Sequence, residues 1–374
     1  MEAKVGYSFL GKTGVKVSNI CLGTMTFGTT DKGPMGLFFS NPKQTDEAAS
    51  HKIMDRYVEL GGNFIDTANI YSYGNSEKII GTWLKKKERD DIILATKVRF
   101  PMDMAKLTNG NGLSRRHIIE SCEASLERLQ TDYIDLYQAH MWDNATPVDE
   151  TLRAFDDLVR SGKIRYYGYS NVCGWQLQKI VETAKHMNLS PCVTLQQQYS
   201  LLRRDSELEA FMVCQNEGIG VLPWSPLKGG MLTGKFKREE TPDPAGSRAG
   251  YMAAKKSEGK TTFSNWDEFN NDDNYWKLID IIKKIAEKKG KSVAQVAVRW
   301  LIQQETVSSV IIGCTSLQQL EDNMGASTGW ELSNEEMKEL SDAAPLNKPY
   351  PYDMIWGWAQ STRNNAFARS NKLP

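Results

Sequence analysis

Four polar residues fall at or just beyond the ends of short apolar segments. Asp66 ends one such segment, and Tyr71 lies five residues further on. Lys97 ends the next segment, and His140 comes just after the one that follows it. Taken singly, each residue is more often structural, and a strand-end Lys commonly reaches into water. Their placement at three successive segment ends favours a catalytic interpretation.

These residue types predict acid–base chemistry on a carbonyl group. A lone buried ammonium is costly, so Lys97 needs a partner, and Asp66 could supply it. A nearby ammonium would lower the pKa of a phenol from its ordinary value of about 10. Tyr71 could then pass a proton to a developing alkoxide near neutral pH. His140 could orient the carbonyl oxygen by a hydrogen bond.

Short apolar segments alternate with helical patterns along the chain and predict strands buried on both faces. The predicted strands are Ile20–Gly23, Phe64–Asp66, Ile92–Lys97, Ile134–Gln138, Arg165–Tyr169, Val193–Gln197, Gly220–Pro223 and Val310–Gly313. Repeated strand–helix units form either an open doubly wound sheet or a closed (β/α)8 TIM barrel. Eight even units favour the barrel. The open sheet is the alternative, although the first strand lacks the GxGxxG spacing of a dinucleotide fold.

Four stretches fall outside the repeat of this α/β chain, which we expect to be a single domain over residues 1–374. An N-terminal β-hairpin is predicted over 7–17, and an insertion follows the first strand at 29–43. A long polar loop at 235–274 follows the seventh strand, and an aromatic tail covers 347–374. Barrel active sites form where strands end, so we expect the long loop and the tail to lie over that face.

Composition excludes several functions. The chain of 374 residues has 46 Lys+Arg and 46 Asp+Glu, which gives no overall attraction to nucleic acid or to an anionic membrane. No apolar run is long enough to span a bilayer, and no signal peptide is evident, so we expect a cytoplasmic protein. The six Cys and four His show no metal-ligand spacing, so no metal site is predicted.

Several motifs make the chain similar to the aldo-keto reductases. The run from Gly62 to Ala68, with Tyr71 and the segment 74–77, resembles the first signature of that family. Further matching motifs, in the family's order, are Ser170-Asn171, Trp224-Ser225-Pro226-Leu227, Gly230 to Lys235, and Ile312 to Ser316 running on to Asp322-Asn323. The variants resemble the branch of aryl-alcohol dehydrogenases and voltage-gated potassium channel β subunits. The resemblance implies a (β/α)8 barrel that binds NADPH across its strand ends.

The resemblance also implies roles for individual residues. Tyr71 would be the general acid in reduction, tuned by Asp66 and Lys97, while His140 orients the substrate. Ser170, Asn171 and Gln196 would bind the nicotinamide carboxamide, and Trp224 would stack on the ring. The other implied cofactor-binding residues are Gly23, Thr24, Met25, Asp66, Ser225, Pro226, Leu227, Gly229, Lys235, Arg248, Gly313, Thr315, Gln319, Asp322 and Asn323.

Lys235 and Arg248 favour NADPH over NADH, because a planar guanidinium can grip a 2′-phosphate with two hydrogen bonds. Cys314 and Gln319 differ from the Ser and Arg of the branch. Arg99 could meet an anionic group on the substrate. Candidates for an apolar wall around the substrate carbonyl are Phe27, Phe100, Trp142, Trp356 and Trp358.

The expected function is therefore NADPH-dependent reduction of aldehydes and reactive ketones to alcohols. Aryl, aliphatic and α-keto aldehydes all fit this expectation, sugar-derived ones included. We expect a small-molecule substrate and a monomer or weak homo-oligomer. The alternative is a regulatory NADPH-binding protein that resembles the channel β subunits.

Overall fold

The computed structural model describes residues 5–30, 36–39, 41, 43–103, 105 and 107–358. The strands within these residues are β1 (Tyr7–Phe9), β2 (Lys16–Ser18), β3 (Ile20–Gly23), β4 (Phe64–Asp66), β5 (Ile93–Val98), β6 (Ile134–Ala139), β7 (Ile164–Ser170), β8 (Cys192–Gln198), β9 (Gly220–Trp224) and β10 (Val310–Gly313). Eight of them form one parallel sheet, in the order β10, β3, β4, β5, β6, β7, β8, β9.

The sheet curves into a nearly closed barrel. β10 pairs in parallel with β3, and the remaining gap lies between β9 and β10. Val221 bridges that gap, because its N–H donates to Thr306 O and its carbonyl accepts from Ser308 N, each at 2.9 Å. The predicted (β/α)8 barrel is confirmed, and the open-sheet alternative is wrong.

Helices lie between the strands and pack their apolar faces on the outside of the barrel. Many begin at a capping side chain, such as Ser114, which accepts from His117 N. They are α1 (Gly36–Phe39), α2 (Glu47–Glu59), α3 (Asn75–Leu84), α4 (Arg115–Leu129), α5 (Val148–Arg160), α6 (Gly174–His186), α7 (Ala210–Glu217), α8 (Arg248–Ser257), α9 (Asn265–Phe269), α10 (Asp273–Lys289), α11 (Val293–Ile302), α12 (Leu317–Met324) and α13 (Asn334–Ala343).

The N-terminal hairpin closes the barrel floor. β1 and β2 pair antiparallel, as predicted, and Leu10 and Val17 are fully buried. Both pack into an apolar cluster with strand residues that include Phe64 and Leu222. At Gly11 the φ is +56°, and a Cβ would lie 2.5 Å from the carbonyl of Val193, so only glycine fits there. The opposite end of the barrel is left for ligands.

The segment after β9 is more ordered than the sequence suggested. The predicted loop 235–274 contains α8 and α9, and α10 begins at its end. Glu268 on α9 pairs with Arg203 at 2.6 Å and with Lys228 at 3.5 Å. Asn265 Nδ2 donates to Lys228 O at 3.2 Å. These contacts hold α9 against the loops at the strand ends.

The described part of the tail lies at the same end of the barrel. The Tyr352 hydroxyl donates to Glu209 Oε1 at 2.5 Å, and Glu209 belongs to the loop between β8 and α7. Loops that follow parallel strands emerge at their carboxyl ends, so Tyr352 is on the side where we expect the site. The predicted tail segment 359–374 lies outside the described residues.

Candidate active site

Lys97 connects the predicted catalytic residues at the ends of β4 and β5. Its ammonium is fully buried and lies 2.5 Å from Asp66 Oδ1. It also donates to Thr67 O at 2.7 Å and to the Tyr71 hydroxyl oxygen at 3.3 Å. An ammonium has three protons, and these acceptors use all of them. Because Tyr71 accepts from Lys97, its own O–H is free to donate to another ligand.

Two glutamines hold the other oxygen of Asp66. Gln138 Nε2 donates to Asp66 Oδ2 at 3.1 Å, and Gln196 Nε2 donates to it at 2.8 Å. Gln196 Nε2 also lies 3.4 Å from Gln138 Oε1. The amide nitrogen of Gln196 is thus used within the protein, which leaves its carbonyl oxygen for a ligand. The buried carboxylate is fully bonded, as a charge at this depth requires.

The pKa of Tyr71 is raised above its ordinary value of 10 because the phenol is buried. The charge of Lys97 acts in the opposite direction but does not outweigh burial. The prediction that the pKa of Tyr71 falls is therefore wrong in its net direction. Tyr71 remains protonated at neutral pH, which suits a proton donor. Burial would lower the pKa of Lys97, yet Asp66 and Tyr71 raise it, so the ammonium remains charged.

His140 faces Tyr71 across the mouth of the barrel. The two rings meet edge to face with centroids 5.9 Å apart, and Phe100 packs on the imidazole at 5.0 Å. Burial, Lys97 and Arg99 together hold the pKa of His140 well below its usual 6.5. A neutral imidazole offers one N–H donor and one acceptor. It can therefore donate to a carbonyl oxygen that lies against Tyr71, but it brings no charge.

The groups predicted for a nicotinamide ring gather at the ends of β7, β8 and β9. Asn171 Nδ2 donates to His140 O and to Ser170 Oγ, both at 2.9 Å, and Trp224 Nε1 donates to Asn171 Oδ1 at 3.3 Å. Asn171 has a φ of +53°, which a non-glycine residue rarely adopts. Such strain is common at binding sites. The half-buried Trp224 thus stands beside the carboxamide-binding candidates. Through Asn171 it is also close to the four predicted catalytic residues Asp66, Tyr71, Lys97 and His140, called the tetrad below.

The turn after β9 has an unusual backbone, because Ser225, Lys228, Gly229 and Gly230 all have positive φ. Within the turn, Lys228 N donates to Ser225 O and Gly230 N donates to Leu227 O, both at 2.9 Å. The turn also includes the buried Pro226 and the half-buried Leu227. Burial and the like charge of Lys43 lower the pKa of the nearby Lys235. Among the residues that the structure describes, no ion pair joins either lysine to an acid, so the two ammonium groups together suit an anion.

Arg248 begins α8, and its charge is close enough to Tyr71 to lower the pKa of that phenol. Lys43, from the insertion after β3, lowers the pKa of Lys235 in the same way. That Lys235 and Arg248 both bind a phosphate of the cofactor stays a prediction.

The remaining cofactor candidates line the ends of β3 and β10. Gly23 and Gly313 pair across these strands, and nothing lies within 4 Å of a Cβ at Gly313. Thr24 is buried against Asp66 O, and Met25 is partly buried beside it. Around α12, Gln319 Oε1 accepts from Thr315 N at 2.9 Å, and Asp322 accepts from Ser292. Asn323 is buried on the same helix.

The apolar wall is only partly assembled. Phe100 packs on His140, and Trp142 meets the exposed Trp175 edge to face at 5.8 Å. Trp356 packs on Tyr352 in the tail. Phe27 is fully buried in the main core, and its predicted place in the wall stays a prediction. The side chain of Trp358 lies outside the described part of the chain.

Sequence reasoning missed three contributors to this site. Gln138 bonds Asp66, Thr67 accepts from Lys97, and Phe39 packs 6.4 Å from Tyr71 with only 1% of its surface exposed. The sequence did contain a signal for Gln138, because this residue precedes His140 by two positions and so faces the same side of the strand. Phe39 had none, since it belongs to the irregular insertion after β3.

A buried ion pair supports the turn that carries Tyr71. Glu77 is fully buried at the start of α3, where it accepts from Arg128 Nε and from Thr96 Oγ1, both at 2.7 Å. Replacing Glu77 by Gln should lower the free energy of unfolding by about 2–4 kcal/mol, because Arg128 is left without its anion. Urea titration measures this change. Glu120→Gln, which breaks an exposed pair with Arg116, should cost less than about 0.5 kcal/mol. Equal losses would contradict the assigned role of Glu77.

Comparison with known proteins agrees with this geometry. Residues 19–345 match the aldo/keto reductase family. An uncharacterized oxidoreductase, YrpG, of Bacillus subtilis is 37% identical over 91% of this chain and 96% of its own length. Norsolorinic acid reductase of Aspergillus flavus is 33% identical over 94% of this chain and 84% of its own length. An aryl-alcohol dehydrogenase [NADP(+)] of Phanerodontia chrysosporium is 31% identical over 91% and 86%. The chain belongs to the aldo/keto reductase family, whose members are oxidoreductases.

Two features are absent from the residues that the structure describes. Among the helices within 5–358, none is both long and apolar enough to cross a membrane. The same described ranges contain no group of three or more His, Cys, Asp or Glu side chains arranged to hold a metal ion.

Proposed function

We propose that this protein reduces aldehydes and reactive ketones to alcohols with NADPH. The observation that carries the proposal is the Tyr71 hydroxyl, which accepts from a buried ammonium and faces a neutral imidazole. This arrangement leaves the phenol proton directed at the space where a carbonyl oxygen can bind. The NADP(+)-dependent aryl-alcohol dehydrogenase among the relatives supports the choice of cofactor.

In this proposal each tetrad residue has a separate task. His140 donates a hydrogen bond to the carbonyl oxygen and holds it against Tyr71. When bound, NADPH would supply the hydride that the carbonyl carbon gains, and it would leave as NADP+. Tyr71 gives its proton to the oxygen, and Lys97 stabilises the phenolate that remains. Asp66 keeps Lys97 in place and charged.

The residues predicted to bind the cofactor would hold it across the carboxyl ends of the strands. The free carbonyl oxygen of Gln196 suits the N–H groups of the carboxamide, and Asn171 Oδ1 can accept a second hydrogen bond beside the one from Trp224. Trp224 would cover one face of the nicotinamide ring and so select the face that meets the substrate. The turn after β9 and Lys235 would hold the phosphates.

We also propose a cytoplasmic location, because all six cysteines are free.

The test of this function is to follow NADPH absorbance with a panel of aromatic, aliphatic and α-keto aldehydes and the matching ketones. We expect consumption of NADPH with formation of an equal amount of alcohol, checked by chromatography. Failure of the whole panel, with NADPH binding intact by fluorescence, would overturn the proposal.

Lys235 should determine the preference for NADPH over NADH. It lies near Lys43, and within the described part of the chain neither lysine has an acidic partner, so a 2′-phosphate would neutralise both charges. Lys235→Met should raise the KM for NADPH about tenfold and change the KM for NADH much less, because a charged hydrogen bond is lost. The control is Lys237→Met, which removes an exposed charge two positions away.

Arg248 gives a contrasting result. Because it lies near Tyr71, Arg248→Met should weaken both cofactors alike. A loss confined to NADPH in that variant would show that Arg248 binds the 2′-phosphate after all, as the sequence implied.

A further inference from the structure

Arg99 places a cation beside the proposed catalytic histidine. It follows the last residue of β5, and its Nε is buried without a hydrogen-bond partner. No ion pair joins its guanidinium to any acid in the described part of the chain. Its charge nevertheless reaches the imidazole of His140, whose pKa it lowers after burial and Lys97. Burying the Nε–H of Arg99 without a hydrogen-bond acceptor costs free energy, and a ligand that accepts from it would remove this cost.

The backbone at Arg99 is held in an unusual conformation. Its φ is 154°, which L residues rarely adopt, and its carbonyl accepts from Gly112 N at 2.8 Å. The preceding residue, Val98, accepts from His140 N at 2.8 Å. Arg99 is thus fixed directly against the segment that carries the catalytic histidine. Strain kept at such a position is typical of a functional site.

The nearby acids are already bonded elsewhere. Asp143 lies within electrostatic reach of Arg99, but its oxygens accept from Leu113 N, Ala145 N and Thr146 Oγ1. Asp66 neutralises Lys97 at 2.5 Å. Lys97 is therefore in a direct ion pair, whereas Arg99 has only the carboxylate of Asp143 at a distance, and its Nε has no hydrogen-bond acceptor.

We infer that the carbonyl substrate carries a carboxylate, which Arg99 binds while the carbonyl oxygen lies between Tyr71 and His140. This inference rests on the proposed reductase function and narrows its substrate class. A guanidinium matches a carboxylate with two parallel hydrogen bonds, which fixes the direction of the substrate as well as binding it.

Phe100 lies close to both the anion-binding group and the carbonyl-binding group. Its ring centroid lies 5.4 Å from the Arg99 guanidinium carbon and 5.0 Å from the His140 ring. The guanidinium carbon is therefore within about 10 Å of the centre of the imidazole. A substrate with about one ring or a short chain between its carboxylate and its aldehyde, such as a carboxybenzaldehyde, can span a separation of this order.

The test compares each carboxybenzaldehyde isomer with its methyl ester, which has the same aldehyde but no charge. We expect kcat/KM for at least one acid to exceed that of its ester at least tenfold. Arg99→Gln should lower kcat/KM for that acid about 30- to 100-fold and change the ester less than threefold, because only the acid loses an ionic contact. Arg99→Lys should restore part of the preference.

Two controls separate this site from general effects. Arg116→Gln removes an exposed arginine on α4 and should leave both substrates unchanged. The KM for NADPH should be the same in wild type and in Arg99→Gln. A raised KM for NADPH would assign Arg99 to the cofactor and overturn the inference. An acid preference that is absent in wild type, or lost equally for acid and ester, would overturn it as well.

A binding measurement keeps the inference independent of turnover. Benzoate should bind the protein–NADP+ complex, as followed by tryptophan fluorescence, at least tenfold more weakly in Arg99→Gln. If no aldehyde is reduced but benzoate binding depends on Arg99, the proposed reductase function fails while the anion site stands. If aldehydes are reduced but benzoate binding ignores Arg99, the carboxylate inference fails alone.

Discussion

Replacing Tyr71 by Phe should lower kcat for carbonyl reduction by about 10²- to 10⁴-fold, because the substitution removes the proton donor. The ring remains and still packs against Phe39 and His140. Binding of NADPH, followed by its fluorescence, should therefore change little. In wild type, the rate should stay level through neutral pH and fall only above pH 10, because burial raises the pKa of Tyr71.

Tyr73→Phe is the matched control for this prediction. Tyr73 lies in the same turn and packs on Phe39 with ring centroids 6.4 Å apart. Its hydroxyl has no part in the proposed proton transfer, so the rate should stay within about threefold of wild type. A Tyr71→Phe enzyme with the wild-type rate would disprove the assignment of the general acid.

The positions of the tetrad could be predicted from sequence because they depend on strand order. Polar residues at the carboxyl ends of neighbouring parallel strands must meet at one end of a barrel. Asp66, Lys97 and His140 follow that rule on β4, β5 and β6. Gln138 obeys the same geometry and could have been added from the alternation along β6.

The electrostatics of the site could not be predicted in the same way. The pKa of Tyr71 depends on whether burial or Lys97 dominates, and burial depends on distant segments. Phe39, from the insertion after β3, helps to cover the phenol. Arg248 approaches it from the segment after β9. Neither the cover by Phe39 nor the charge of Arg248 near the phenol follows from the spacing of residues along the chain.

The helices in the segment after β9 were not predicted from the sequence, for a different reason. Its Gly, Pro and Asp content suggested an irregular loop, yet Ser247 and Ser264 cap two helices within it. In α10 the apolar residues Leu278, Ile282 and Ile285 recur at helical spacing and are buried. That pattern was available in the sequence, whereas the Glu268 contacts with Arg203 and Lys228 required the fold.

Lys97→Met should be among the most damaging single changes outside the apolar core. The ammonium is fully buried and donates to Asp66, Thr67 and Tyr71. Removing it leaves the Asp66 carboxylate buried with only its two glutamine partners. We expect the free energy of unfolding to fall by about 3–5 kcal/mol. Urea denaturation at pH 7 measures this loss, and kcat should fall at least 10²-fold in the same variant.

The double variant Lys97→Met/Asp66→Asn distinguishes the cost of an unpaired buried carboxylate from the loss of the ammonium itself. With the carboxylate gone, no uncompensated charge remains, so the double variant should be more stable than Lys97→Met alone. Its kcat should stay low, because Tyr71 still lacks the ammonium that stabilises its phenolate. A double variant less stable than either single variant would contradict the assigned ion pair.

The pH dependence supplies a second check on the same pair. The folded pKa of Lys97 is raised above 10.5, so its stabilising contribution is complete below that value. It is lost only as the pH rises through the raised folded pKa. The stability gap between wild type and Lys97→Met should therefore be constant from neutral pH to about pH 10 and shrink in stronger alkali. A gap that already shrinks between neutral pH and about pH 10 would mean that Lys97 does not hold its proton through Asp66.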